Sequence, residues 1–125
     1  MQSVVHFEIP ADDLERAQKF YSESFGWNVN YIAEMNYAIV STTESDEKTG
    51  APKKPGAING GMLKRQEPVK NPVITINVES IDEAHDKIET AGGEIIRGKM
   101  PVGDMGFASY FKDSEGNVLG LWENK

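Results

Sequence analysis

Residues 7–29, FEIPADDLERAQKFYSESFGWNV, are echoed without a gap by residues 74–96, ITINVESIDEAHDKIETAGGEII. At a constant offset of 67, Phe7 falls on Ile74, Ile9 on Ile76, Leu14 on Ile81, Ala17 on Ala84, Tyr21 on Ile88, Gly26 on Gly93 and Val29 on Ile96. Similar chemistry at a fixed period marks a duplicated supersecondary unit. The chain is therefore expected to form one domain over 1–125, made of two modules, about 1–67 and 68–125. Its 125 residues amount to one ordinary domain. Each half is too short to bury a good core alone, so one shared core is expected, with equivalent strands facing each other across a cleft.

Within the first copy, Val4 to Ile9 alternates Val5, Phe7 and Ile9 against His6 and Glu8 and is closed by Pro10, which predicts a strand with one core face. Leu14, Ala17, Phe20, Tyr21 and Phe25 recur at helical spacing, with Asp12 or Asp13 available as cap and Gly26 as terminator. Trp27 to Ile32, Tyr37 to Thr42 and Ala57 to Lys64 read as three further strands, and Glu44 to Gly56 as a long polar loop. The second copy repeats the order. A strand at Val73 to Val78 precedes a helix from about Ile81 to Ala91 capped by Ser80, then strands near Glu94 to Lys99, Phe107 to Lys112 and Val118 to Glu123, the last two joined by a turn at Asp113 to Asn117. The expected class is α+β: two βαβββ modules forming an eight-stranded curved sheet around a cleft, with the helices on its outer face.

With 13 Lys and Arg against 20 Asp and Glu, the formal net charge is −7. That balance argues against nucleic acid and anionic membranes, both of which need clustered cations, and favours neutral or cationic small molecules. No cysteine is present, which excludes disulfides, thiolate nucleophiles and thiolate metal sites. The start of the chain lacks a secretion-signal pattern, and no apolar run approaches the roughly 20 residues of a membrane span. A cytoplasmic location is expected.

The stretch His6 to Tyr21, HFEIPADDLERAQKFY, followed by Phe25-Gly26-Trp27, resembles the opening module of the glyoxalase / bleomycin-resistance / extradiol-dioxygenase proteins, the vicinal oxygen chelate superfamily. Asp113 to Glu123, DSEGNVLGLWE, resembles the close of its second module. The resemblance implies a fold shared by isomerases, ring-cleaving dioxygenases, thiol transferases and drug-binding proteins, commonly as homodimers. It also implies four metal-ligand positions, on the first and last strands of each module. Here those positions hold His6, Val73, Gly60 and Gly120, of which only His6 has a donor side chain. A catalytic zinc takes about three protein ligands and a hard divalent ion several oxygens, so no metal or other cofactor is expected, with a weak His6/Glu8 site as the partial exception.

Six residues are expected to line the cleft. His6 and Glu8 share a strand face, Thr75 and Asn77 share another, and Tyr110 and Trp122 take the parity opposite to the core residues Leu119 and Leu121. Gly60 and Gly120 should leave room beside them. The plain reading of His6 is a pocket-lining or hydrogen-bonded histidine, and of Glu8 a solvated or Lys/Arg-paired carboxylate. His85 reads as a surface residue of the second helix, and the glycine pairs Gly60-Gly61 and Gly92-Gly93 as sites needing no side chain. The reading is of a metal-independent protein that binds a small ligand, in the manner of proteins that sequester a cationic antibiotic such as bleomycin. The alternative is a lyase or isomerase related to lactoylglutathione lyase, with His6 and Glu8 as acid and base.

Overall fold

The structure is a computed structural model that describes all 125 residues. Its elements run β1 (Val4–Ala11), α1 (Leu14–Phe25), β2 (Asn28–Ile32), β3 (Tyr37–Ser41), β4 (Gly60–Lys64), β5 (Val73–Asn77), α2 (Ile81–Thr90), β6 (Glu94–Val102), β7 (Gly106–Lys112) and β8 (Val118–Asn124), so βαβββ occurs twice. Two compact units result: His6–Pro72, and Val73–Lys125 joined by Met1–Val5.

In the unit His6–Pro72 the strands are ordered β2-β3-β4-β1. The β1/β4 pair is parallel, and β3/β4 and β2/β3 are antiparallel. Asp13 is the α1 cap, accepting from the Arg16 amide at 3.1 Å, while Asp12 pairs with Arg65 at 3.0 Å. Gly26 ends the helix at φ 71°, a left-handed geometry that favours glycine. Below α1 the buried cluster is Ala11, Val29, Ala38, Val40 and Met62, packed by Phe7, Leu14, Ala17, Tyr21 and Trp27. Trp27 stacks on Tyr21 with centroids 5.0 Å apart. β1 runs two residues past its expected end, because the fixed φ of Pro10 suits extended backbone.

The loop between β3 and β4 is tied down rather than featureless. Asn59 Oδ1 accepts from the amides of Thr42 and Thr43, its Nδ2 donates to Ser45, and Asp46 accepts from the amides of Lys48 and Thr49.

The other unit repeats the pattern as β5-β8-β7-β6, with β5/β8 parallel and the two remaining pairs antiparallel. Ser80 caps α2 by accepting from the Glu83 amide at 3.1 Å. Its buried cluster is Val78, Ile81, Phe111 and Leu121, packed by Ile76, Ala84, Ile88, Ile95, Phe107 and Leu119. The expected single shared core is therefore corrected: each unit has its own buried cluster beneath its own helix. Val5, expected on the core face of β1, is 38% exposed; Ile74, the counterpart of Phe7, is 47% exposed, because the cluster beneath α2 takes Ile76 and not Ile74. The Asp113 carboxylate closes the final hairpin by accepting from the amides of Glu115 and Asn117.

Candidate functional site

Along β1 the alternation of the strand separates Phe7 and Ala11, which join the core, from His6 and Glu8 on the opposite face. On β3 the same alternation buries Ala38 and Val40 and turns Tyr37 to that opposite face. β4 lies between β1 and β3, and Gly61 is the β4 residue level with Glu8 on one side and Ile39 on the other. Tyr37 reaches across it. A Cβ at Gly61 would collide with the Tyr37 hydroxyl and ring, so the missing side chain opens the path from β3 to β1.

The result is a continuous hydrogen-bonded chain. The Tyr37 hydroxyl donates to Glu8 Oε2 at 2.8 Å and lies 2.9 Å from His6 Nε2. Glu8 is only 7% exposed, so the reading of a solvated carboxylate is overturned: its burial is compensated by the phenol. Burial holds the His6 imidazole below the ordinary histidine value, with the Glu8 charge opposing it. The imidazole is thus neutral near pH 7. Tyr37 is the member the sequence reading missed. Its signal was the glycine at position 61, which was read only as a site needing no side chain.

In the other unit, Thr75, Asn77, Tyr110, Gly120 and Trp122 share a register. Thr75 is level with Gly120 and Asn77 with Trp122 on β8, and Tyr110 is level with Gly120 on β7. Asn77 Nδ2 donates to the Trp122 carbonyl at 3.0 Å, and Trp122 Nε1 donates to Asn124 at 2.9 Å. The Trp122 ring lies over Gly106, where a Cβ would come within 2.8 Å of it. His85 is corrected from a surface residue to a half-buried one, 2.8 Å from Ser109 Oγ, whose hydroxyl donates to the Arg97 carbonyl. The α2 face that carries His85 turns inward toward β7, which puts the ring within reach of the buried serine.

The registers also correct the pairing of Gly60 with Gly120. Glu8 is level with Gly61, and Thr75, its counterpart at the 67-residue offset, is level with Gly120. Gly61 is therefore the true equivalent. Gly60 instead faces the core, where a Cβ would collide with Phe7, and a Cβ on Gly120 would lie 2.7 Å from Thr75 Oγ1. Neither glycine leaves open space beside it.

This architecture and sequence have known relatives. A glyoxylase-like domain-containing protein of Didymella fabae is 31% identical over 116 residues, covering 89% of this chain and 85% of that protein. The chain belongs to the vicinal oxygen chelate superfamily. Residues 3–43 of this superfamily member match the family model described as bleomycin resistance protein-like N-terminal. CFP32 of Mycobacterium tuberculosis is 29% identical over 120 residues, and the chain spans 43% of its length. A methylmalonyl-CoA epimerase variant of Streptomyces coelicolor superposes with a TM-score of 0.65 at 17% identity, over 97% of this chain and 96% of that one. That likeness shows the fold.

The superfamily implies a divalent metal, and the residues present do not fit one. His6 Nε2 and Glu8 Oε2 are both engaged by Tyr37, Val73 and Gly120 carry no donor, and no three His, Cys, Asp or Glu side chains converge anywhere in the chain.

Proposed function

We propose that this protein binds a small molecule on the sheet face that carries His6 and Glu8 of β1 and Tyr37 of β3, without a divalent metal. The observation that carries the reading is the Tyr37 hydroxyl, set between His6 and Glu8 where a metal would need both side chains. A buried, hydrogen-bonded polar chain of this kind supplies the few placed polar groups that fix the orientation of a small ligand. Taken by itself, the other unit carries Thr75, Asn77, Tyr110 and Trp122 on strands in register. A net charge of −7 favours neutral or cationic compounds, and the match to a bleomycin-resistance family points to sequestration of such a compound.

The test is direct. Bleomycin is titrated into the protein while tryptophan emission is followed, and metal content is measured on protein purified without chelators. Saturable quenching that weakens in His6→Ala, together with substoichiometric metal, is the expected result. One equivalent of zinc, nickel, manganese or iron that disappears in His6→Ala would overturn the metal-independent reading.

A second reading, a lyase or isomerase, is favoured by one observation: His6, Tyr37 and Glu8 form a single hydrogen-bonded chain of groups able to take up and pass a proton. It predicts solvent-proton exchange into an added thioester or hemithioacetal, abolished by His6→Ala.

A further inference from the structure

We infer that Tyr37 is a positioning residue that holds His6 as its Nε2–H tautomer, so that Nδ1 faces the ligand as a hydrogen-bond acceptor and the site selects compounds offering an N–H or O–H donor. The inference rests on the reading of this face as a ligand site and names what that site recognises.

Tyr37 has one hydroxyl hydrogen, and a carboxylate accepts only. At 2.8 Å that hydrogen is committed to Glu8. The contact of 2.9 Å between Tyr37 and His6 Nε2 can then be a hydrogen bond only if Nε2 carries the proton. A neutral imidazole with a proton on Nε2 has a bare lone pair on Nδ1. No buried side-chain nitrogen or oxygen in the chain lacks a partner. His6 Nδ1 makes no hydrogen bond, so it retains a solvent-facing surface. Gly61 completes the device, since any larger residue there would push the phenol off its path. A ligand with only acceptor groups would meet the lone pair of Nδ1 with no hydrogen between them, and a buried polar mismatch of that kind discriminates strongly.

The tautomer can be read without a ligand. Long-range proton–nitrogen correlation on protein labelled in histidine separates protonated from bare ring nitrogens, and His85→Gln removes the only other histidine signal. The expected result is a protonated Nε2 and a bare Nδ1 for His6. In Tyr37→Phe, which keeps the ring over Gly61, both tautomers should appear. In Glu8→Leu the Tyr37 hydrogen is released to donate to Nε2, and the tautomer should reverse to Nδ1–H. A protonated Nδ1 in the unsubstituted protein, or a tautomer unchanged in folded Tyr37→Phe, overturns the inference.

Acetamide and N,N-dimethylacetamide then probe ligand class, because they share a carbonyl and differ in N–H donors. Acetamide should shift the Nδ1 resonance saturably and the dimethyl compound should not. Equal shifts overturn the donor selectivity alone. If neither amide moves Nδ1 while the tautomer is as expected, the ligand site and its donor selectivity both fall and the role of Tyr37 in setting the tautomer stands.

Discussion

At the scale of single residues, the site depends on a side chain that is absent. Gly61 has an ordinary strand conformation, so its requirement is steric and not conformational. Gly61→Ala should displace Tyr37 and cost about 1–3 kcal/mol, the usual penalty of overpacking a filled space, measured as a lowered urea midpoint. Stability equal to that of the unsubstituted protein would mean that Tyr37 does not need this path. The same geometry changes the expectation for Gly120. With Thr75 Oγ1 seated above it, Gly120→Leu collides with a buried hydroxyl, and lower stability is expected rather than a filled ligand space. His6 and Glu8 were legible because strand alternation alone puts them on one face. Tyr37 was not, since its part depends on which glycine lies beneath its ring, and that follows from register between strands far apart in the sequence.

At the scale of elements, caps and terminators were the readable signals. Asp13, Gly26 and Ser80 do what their chemistry suggests, and Asp13→Ala should cost about 1 kcal/mol by exposing an unpaired amide at the start of α1, seen as a lowered thermal midpoint. The start of α2 has a second device that local sequence did not reveal. Glu123, at the end of β8, accepts from the Ile81 amide at 2.9 Å and pairs with Lys99 at 3.1 Å, while Lys99 also reaches Asp82 and lies 4.6 Å from the Phe107 ring centroid. The Ile81 amide, and then Lys99, hold the Glu123 carboxyl below the ordinary glutamate value. A depressed folded pKa means that the stabilisation is complete above the ordinary value and is lost as pH falls through the folded one. Acid unfolding should therefore weaken the α2 start, and Glu123→Gln should flatten the acid limb of the stability profile. An unchanged acid limb would remove Glu123 from this role. β6 was read three residues short because its pairing with β7 resumes beyond a bulge between Arg97 and Met100, and irregular pairing leaves no periodic trace in sequence.

At the scale of the whole molecule, the repeat was the most legible feature, since each copy carries the same alternation, helix and terminator, and the structure realises both as βαβββ. The number of cores was not legible, because chain length bounds how much surface can be buried but not how it is divided. The chain is predicted to self-associate. β2 and β6 each end their strand order with an unpaired edge, and Phe20 and Phe25 on α1 are 56% and 62% exposed. Open edges and exposed aromatics invite uncontrolled pairing unless a defined partner covers them. The charge of −7 opposes indiscriminate aggregation between like molecules, and a closed, two-fold association would cover such surfaces without propagating. Sedimentation equilibrium at micromolar concentration should give a mass twice that of the 13.8 kDa chain, independent of loading concentration. A single species at the chain mass across that range would show that the edges and the α1 aromatics stay in water, and a mass that climbs with concentration would show that the association does not close.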